Sequence, residues 1–272
     1  MSGNYPVKYH AVLVEWDVHT GSQREVLAVA YWKHLHPIDT VIFGPVDHFC
    51  YLTVGDGGYR KQDTLMGGDP YHQVQNLNSP LGKILRINPL QSRTRPYTVP
   101  ADNPYHGQAG KLKEIWCYGL RHPEHLFFAP NGDGYMTDIG ASAYEKLVVL
   151  KKGANYGWPI KEGDPGAGYT RPLAAWDRRA YAKAAVCGGP IITSGPLAGN
   201  ALWGDLVTGR MFYTATDPTG IVKPIYELQL STPLLQLAGG DTRCDMRMGI
   251  GGNGEIFITT KTDGFIRKLA IL

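Results

Sequence analysis

The chain contains the segment Phe128-Ala-Pro-Asn-Gly-Asp-Gly-Tyr-Met-Thr-Asp138, which has the pattern of a β-hairpin. Apolar residues stand on both sides of a turn made of proline, asparagine, aspartate and glycine. Asn-Gly and Asp-Gly pairs adopt the positive φ angles that tight hairpin turns require. The segment therefore predicts two short antiparallel strands, at Leu126–Ala129 and at Tyr135–Asp138.

Two other segments have the same outline. They are Phe43-Gly-Pro followed by Phe49-Cys-Tyr-Leu-Thr53, and Ile250-Gly-Gly followed by Ile256-Phe-Ile-Thr259. Each has an apolar residue, a small residue, a turn, and then an apolar strand that ends in threonine. The three starting residues lie 85 and 122 positions apart. These intervals are about two and three units of about 41–42 residues, which is the size of a four-stranded blade of a β-propeller.

Other short strand patterns lie along the whole chain, while helix patterns are scarce. Polar or glycine-containing turns separate strands at 9–18 and 25–32, at 40–44 and 49–54, and at 255–260 and 265–272. Regular short strands with glycine turns indicate an all-β sandwich, barrel or propeller, and the repeat favours the propeller. No clear domain boundary is visible, so we expect a single β-propeller domain over residues 1–272.

The composition excludes several protein classes. Glycine (34 residues) and proline (19 residues) are frequent but have no period of three, which excludes a collagen. With 43% hydrophobic and 19% charged residues the chain can bury a core, which excludes wholesale disorder. A net charge of +3 without a basic stripe argues against nucleic acid as a partner. No apolar run reaches the roughly 18 residues of a membrane span, and residues 1–6 lack the basic and apolar parts of a signal peptide.

The four cysteines are scattered along the chain. They are Cys50, Cys117, Cys187 and Cys244. No pair has the short spacing of a zinc knuckle or a redox dithiol. We expect ordinary core residues, and one or two long-range disulfides stay open for an exported protein.

Five segments carry a resemblance to a known family. They are His36-Pro-Ile-Asp-Thr-Val-Ile-Phe-Gly-Pro45 with Tyr51-Leu-Thr-Val-Gly-Asp-Gly-Gly58, Gly82-Lys-Ile-Leu-Arg-Ile-Asn-Pro89, Glu114-Ile-Trp-Cys-Tyr-Gly-Leu-Arg-His-Pro-Glu124, Gly140 through Gly153-Ala-Asn-Tyr-Gly-Trp-Pro159, and Gly204-Asp-Leu-Val-Thr-Gly-Arg210 with Met246-Arg-Met-Gly249. Together and in this order they resemble the glucose/sorbosone dehydrogenases, which are quinoprotein sugar dehydrogenases that use pyrroloquinoline quinone (PQQ).

The resemblance implies a fold and an activity. The fold would be a β-propeller of the six-bladed quinoprotein glucose dehydrogenase type, with PQQ and Ca²⁺ at one end of its channel. Family members usually have about one more blade before Tyr9, so we expect five to six blades with an incomplete first blade. The implied reaction is the oxidation of aldose sugars at C1 to the lactone, with hydride passed to the quinone and electrons to an external acceptor.

The resemblance assigns the catalytic chemistry to His36 and Arg121. A histidine at the position of His36 is the general base of the family, and an imidazole with a pKa near neutrality suits that task. Arg121 would reach the quinone oxygens and stabilise the negative charge that develops there. His122, beside it, takes the place of a usual asparagine at the cofactor. Pro37–Asp39 replace small residues of the family and would narrow the substrate mouth.

The same resemblance assigns calcium to two main-chain carbonyls. Gly140 and Ala141 match positions whose carbonyl oxygens hold the ion that bridges to PQQ, and carbonyl oxygens suit Ca²⁺ whatever the side chain. Lys146 replaces a glutamate that binds a second, structural calcium in some members. An ammonium cannot ligate calcium, so we expect this second ion to be absent, with Glu145 as a substitute ligand or the ammonium of Lys146 in the ion's place.

Late arginines are expected around the three carboxylates of PQQ, because such a cofactor requires a cationic pocket. The resemblance favours Arg247 first and Arg243 second. Arg210 is either a third member of this set or a solvated strand residue. Tyr156 and Trp158, in the Gly-Trp-Pro block, are expected to be core and turn residues without chemistry.

Two function classes therefore stay open. One is a PQQ-dependent sugar dehydrogenase with an aldose substrate and a soluble electron acceptor, without a nucleic acid or a membrane span, and with a homo-oligomer left open. The other is a non-catalytic propeller that acts in binding or assembly, which Lys146, His122 and the short N-terminal part favour. A calcium-dependent lactonase is a weaker third alternative. By resemblance the protein would be periplasmic or secreted.

Overall fold

The computed structural model describes residues 5–58, 69–181, 183–217, 222–240 and 242–271. The chain divides into two compact units. The first unit contains Met1–Pro123 and Lys151–Lys161, and the second contains Glu124–Leu150 and Glu162–Leu272. We describe each unit by itself, and the prediction of one propeller domain over 1–272 stays a prediction.

The first unit consists of two antiparallel sheets. A two-stranded sheet is formed by β1 (Tyr9–Trp16) and β2 (Gln23–Tyr31). A four-stranded sheet follows with strands in chain order, namely β3 (Ile38–Phe43), β4 (Cys50–Val54), β5 (Lys83–Ile87) and β6 (Ile115–Tyr118).

The second unit contains three antiparallel sheets in its described part. The first sheet has β7 (Pro123–Phe128), β8 (Gly134–Asp138), β9 (Tyr144–Val149) and β10 (Ala174–Asp177). The next sheet has β11 (Val186–Ile191), β12 (Asn200–Asp205), β13 (Met211–Ala215) and β14 (Tyr226–Leu228). A short helix α1 (Leu234–Leu237) precedes the last sheet, with β15 (Met246–Ile250), β16 (Ile256–Thr260) and β17 (Ile266–Leu269).

The three repeated segments occupy the same place in three sheets. Each is the first hairpin of its sheet, β3–β4, β7–β8 and β15–β16, and the repeat therefore marks equivalent structural units. The four predicted hairpins are all present, with strand ends shifted by a few residues. The all-β prediction is confirmed. The hairpin β11–β12 is also the first hairpin of its sheet. Its loop is longer than those of the three repeated hairpins, so its sequence does not match the repeat pattern.

Burial explains the strand patterns of the first unit. Every residue of β4 and β5 is buried, because these central strands are covered on both faces. In β3 the burial alternates along the strand, as expected when one face of a strand is solvated. The core of this unit includes Val29, Leu52, Leu85 and Ile115, which are fully buried. The buried strands β4 and β5 therefore fix the positions of the loops at their ends.

The cysteines lie inside both cores. All four are buried, so the expectation of core thiols is confirmed, and none of them forms a disulfide. In the described residues, no helix is long and apolar enough to cross a membrane.

Candidate active site

His36 pairs with a buried aspartate of the first unit. Its Nδ1 lies 2.7 Å from Oδ1 of Asp56, whose side chain is fully buried, while the His36 side chain is 14% exposed. His36 precedes β3, and Asp56 follows β4. The antiparallel pairing of these two strands, with Ile38 opposite Val54, brings the two side chains together at the sheet's end.

Glycine residues on both sides of Asp56 permit this contact. A Cβ at Gly55 would lie 2.4 Å from the His36 carbonyl oxygen, which is closer than atoms can approach. Gly57 and Gly58 have φ angles of 84° and 66°, a left-handed region that favours glycine. His36 itself has a φ of 50°, which is uncommon for a residue with a side chain. The Gly-Asp-Gly-Gly sequence therefore has a structural reason, which is the close approach of this loop to His36.

Three donors hold the carboxylate of Asp56. Besides His36, the main-chain N–H of Gly58 donates to Oδ1 at 2.8 Å, and the indole N–H of Trp158 donates to Oδ2 at 3.0 Å. Burial alone would raise the pKa of Asp56, but His36, Arg121 and the Gly58 N–H outweigh it and hold the pKa below its usual range. Asp56 is therefore an ionised, fully engaged acceptor.

The ionised Asp56 determines which nitrogen of His36 carries the proton. Because a carboxylate only accepts hydrogen bonds, Nδ1 of His36 is the donor, and the lone pair of the neutral ring lies on Nε2. Burial lowers the pKa of His36 below its ordinary value, with Arg121 and His122 acting in the same direction against Asp56. The imidazole is thus neutral near pH 7 and has the protonation state of a base.

A second histidine lies flat against His36. The rings of His36 and His122 are stacked, with centroids 4.2 Å apart and an interplanar angle of 17°. Nε2 of His122 contacts Oδ2 of Asp39, which belongs to β3. Asp39, expected only to narrow the substrate mouth, is therefore the partner of His122.

Arg121 occupies the same end of the sheet. Its carbonyl oxygen accepts a hydrogen bond from the Asp56 N–H at 2.8 Å, and its guanidinium lies 5.8 Å from the centre of the Trp158 ring. The structure thus brings the three predicted residues of the first unit, His36, Arg121 and His122, into one cluster. Trp158 is a buried residue as expected, but it also supports this cluster through Asp56.

In the second unit, Gly140 and Ala141 lie in the loop between β8 and β9. One oxygen of Glu162 accepts hydrogen bonds from four consecutive main-chain N–H groups of this loop, at 2.8–3.3 Å from Ala141 to Tyr144. The Gly140 carbonyl oxygen accepts a long hydrogen bond from Arg178, at 3.4 Å. The loop is therefore held by side chains of its own unit.

The charged residues near this loop are paired with one another. Glu145 contacts Arg178 at 2.5 Å, and Lys146 Nζ lies 2.7 Å from Asp138 Oδ2 with both side chains buried. Within the described ranges, no group of three or more histidine, cysteine, aspartate or glutamate side chains could hold a metal ion.

The late arginines of the second unit have carboxylate partners. Arg247 lies 2.8 Å from Glu124, and Arg243 contacts Asp245. Both arginines line one open cavity of about 500 Å³. Arg210, in the turn before β13, makes two hydrogen bonds to Glu227 instead; it is not a strand residue, and its role toward a cofactor stays a prediction. The roles of Arg243 and Arg247 toward a cofactor stay predictions.

The chain matches a known family over most of its length. A model of the Glucose / Sorbosone dehydrogenase family matches residues 26–211. The chain belongs to this family. The match includes the cluster of His36, Asp56 and Arg121 and the loop with Gly140 and Ala141.

Relatives extend this finding. The HIPL1 protein of Arabidopsis thaliana is 31% identical over 187 residues, which are 60% of this chain and 26% of the relative. The quinoprotein glucose dehydrogenase B of Acinetobacter calcoaceticus is 30% identical over 157 residues, which are 52% of this chain and 30% of the relative. The chain spans about a quarter of the length of the first curated relatives that it matches.

A solved structure has the same fold. The PQQ-bound aldose sugar dehydrogenase of Streptomyces coelicolor matches with a TM-score of 0.63 and 22% identity, over 93% of this chain and 66% of that one. The sheets of four antiparallel strands are those of this β-propeller family, so the predicted propeller fold is confirmed. The number of blades, five to six, stays a prediction.

Sequence reasoning missed three residues of the candidate site. Asp56, Asp39 and Trp158 had no assigned contact with the histidines. Asp56 had one visible signal, because it is an acidic residue between glycines directly after a buried strand. Asp39 and Trp158 contact residues 83 and 102 positions away, and nothing in their local sequence indicates those partners.

Proposed function

We propose that this protein oxidises aldose sugars at C1 to the lactone, with PQQ as the cofactor and a soluble electron acceptor. The observation that carries the proposal is the pair of His36 and the buried Asp56 in a member of the glucose/sorbosone dehydrogenase family. By the same family resemblance, we propose that the protein is periplasmic or secreted.

His36 would accept the proton of the C1 hydroxyl group. Asp56 orients the ring and stabilises the imidazolium that forms, while Nε2 presents the lone pair. Because burial lowers the pKa of His36, the base is neutral and ready at neutral pH. Asp56 favours a proton on His36, and this attraction stabilises the imidazolium when the substrate's proton is transferred.

The residues beside His36 fit the oxygens of a quinone. Arg121 carries a permanent positive charge and several donors, and His122, whose Nε2 is engaged by Asp39, can donate through Nδ1 when its ring carries both protons. These groups suit an oxygen atom that gains negative charge during the reaction. When bound, PQQ supplies the two-electron acceptor for the hydride that leaves C1.

The calcium proposal concerns Gly140 and Ala141. Their two carbonyl oxygens suit Ca²⁺, but this ion takes six to eight oxygen ligands, and the Arg178 guanidinium beside the Gly140 carbonyl opposes a divalent cation. We therefore expect calcium to bind with the oxygen atoms of the cofactor and only weakly without it. Calorimetric titration with CaCl₂, with and without PQQ, tests this expectation, and equal affinities in both titrations would contradict it.

The test of the activity uses PQQ, calcium and an aldose. Wild type should reduce a redox dye when glucose or another aldose is added, and His36→Ala should lose activity by roughly 100-fold or more, as expected for a general base. His106→Ala, a change of an exposed histidine in the same unit, should keep the wild-type rate. If PQQ does not bind to the folded protein, the dehydrogenase proposal is wrong and the non-catalytic propeller takes its place.

A further inference from the structure

Two imidazole–carboxylate pairs lie against each other in the first unit. The rings of His36 and His122 stack at 4.2 Å, and each ring contacts its own carboxylate through one nitrogen. His36 uses Nδ1 toward Asp56, and His122 uses Nε2 toward Asp39. The stacking of the two rings goes beyond the role that His122 has toward the quinone in the proposed function.

The two carboxylates differ in their contact with water. The side chain of Asp56 is fully buried and engaged with three donors, whereas that of Asp39 is 29% exposed. A carboxylate beside an imidazole favours a positive charge on that ring. The pair of His122 and Asp39 therefore places a second, partly hydrated imidazole–carboxylate contact against the buried one.

A positive charge on His122 acts directly on His36. Parallel rings at 4.2 Å bring two like charges close enough to repel even at an effective dielectric constant of about 20. His122 and Arg121 both disfavour a proton on His36, and Asp56 favours it. The buried phenol of Tyr31 also feels Asp39 and Asp56, but burial raises its pKa, so it stays neutral in this range.

We propose that the His122–Asp39 pair is a positioning pair that holds the plane of the His36 ring and disfavours its protonation. A charge on the stacked ring opposes a second charge on His36 whatever the source of the proton, so it extends the pH range in which His36 is the free base to lower values. This inference rests on the proposed function for its purpose, but the coupling between the two rings can be measured in the protein without cofactor.

The first experiment is a histidine NMR titration of the full-length, cofactor-free protein. His122→Asn removes the ring and keeps a polar side chain, so His36 should titrate at a pH higher by about half a unit or more, because the like charge is gone. His36→Gln identifies the resonance of His36, and His106→Asn is the matched control that should leave it unmoved. An unchanged titration of His36 in folded His122→Asn overturns the proposal.

A double-variant cycle tests whether Asp39 acts through His122. Asp39→Asn removes the carboxylate that favours a positive charge on His122, which weakens the repulsion on His36 and opposes the direct loss of a negative charge nearby. In the His122→Asn background only the direct effect remains, and it lowers that pH. The effect of Asp39→Asn should therefore differ between the two backgrounds. The same effect in both backgrounds would show that Asp39 acts directly, and would overturn the coupling.

The pH dependence of turnover separates this inference from the proposed activity. In PQQ-loaded protein, the acid limb of kcat/KM should move with the titration of His36, because that limb reports the free base. If the titration shifts but no variant turns over an aldose, the coupling stands and the dehydrogenase proposal is overturned. If wild type turns over and the acid limb of His122→Asn stays in place, the positioning role is overturned and the activity stands.

Discussion

At the scale of single residues, Asp56 decides what His36 can do. The proton of a neutral histidine can lie on either ring nitrogen, and a fixed hydrogen-bond acceptor selects one of these two tautomers. The buried carboxylate accepts the hydrogen bond of the Nδ1–H and leaves the lone pair on Nε2. The chemistry of His36 is therefore a property of the pair, not of the histidine.

The Asp56→Asn variant tests this dependence. The asparagine keeps the size of the side chain but cannot stabilise an imidazolium, and its amide can donate to Nδ1 and so favour the wrong tautomer. We expect PQQ-dependent aldose oxidation to fall roughly 10²–10⁴-fold while the thermal midpoint changes little in comparison.

Asp102→Asn is the matched control, since Asp102 is an exposed carboxylate of the same unit and pairs with Arg86. It should keep the wild-type rate. A full rate in folded Asp56→Asn would mean that His36 does not need this carboxylate, and the assignment of the base would be wrong.

At the scale of strands, the hairpin β8–β9 contains a buried ion pair. Asp138 and Lys146 are directly opposite each other in the antiparallel register, and their charged atoms lie 2.7 Å apart. The ammonium of Lys146 compensates the buried charge of the Asp138 carboxylate without a bound cation. The expectation that no structural calcium binds here stays a prediction, and the pair gives it a physical reason.

Removal of one partner should destabilise the hairpin strongly. Asp138→Asn leaves the ammonium of Lys146 buried without its carboxylate, and such changes cost about 3–5 kcal/mol of unfolding free energy. Urea unfolding measures this loss. The double variant Asp138→Asn/Lys146→Met should recover part of it, because no unpaired charge is left.

The exposed pair of Asp177 and Arg179 in the same unit provides the comparison. Asp177→Asn should change the free energy of unfolding only slightly, because water screens that pair. If Asp138→Asn and Asp177→Asn lose the same free energy of unfolding, the pair with Asp138 does not compensate the burial of the Lys146 charge.

At the scale of the whole molecule, histidines with lowered pKa values make the stability depend on pH. His125 lies half-buried in β7 of the second unit, and loss of hydration, together with Arg247, lowers its pKa to about 4. His36 in the first unit is also shifted downward, mainly by burial. Both rings are therefore neutral in the folded protein at a pH where the unfolded chain already binds protons.

The direction of the pH dependence follows from this difference. Stability is fully present above about pH 6.5, the ordinary histidine value, and it falls as the pH decreases toward about 4. For His125 alone the loss is on the order of 3 kcal/mol. Thermal or urea unfolding between about pH 7.5 and about pH 4.5 measures it.

His125→Asn should flatten this dependence, and His106→Asn, at an exposed position, should not. A slope that is the same in wild type and in both variants would contradict the assignment of the acid sensitivity to His125. Carboxylates that titrate at lower pH add to the loss in all three proteins, so the comparison of slopes is the decisive quantity.

The sequence by itself determined the hairpins, the family and the positions of the principal site residues. Turn residues and apolar strands act over a few neighbouring positions, so Phe128–Asp138 and its two relatives could be read directly as the first hairpins of three sheets. His36 and Arg121 could be placed because family motifs surround them. Their chemistry could only be inferred by resemblance.

Only the tertiary structure decided the partners of these residues. Asp56 contacts Trp158 across 102 positions, and His122 contacts Asp39 across 83 positions. Such contacts arise where the ends of separate strands and loops meet, and no local pattern encodes them. Burial lowers the pKa of His36, and the contact with the ionised Asp56 fixes its proton on Nδ1. That step depends on the removal of water, which only the packed fold provides.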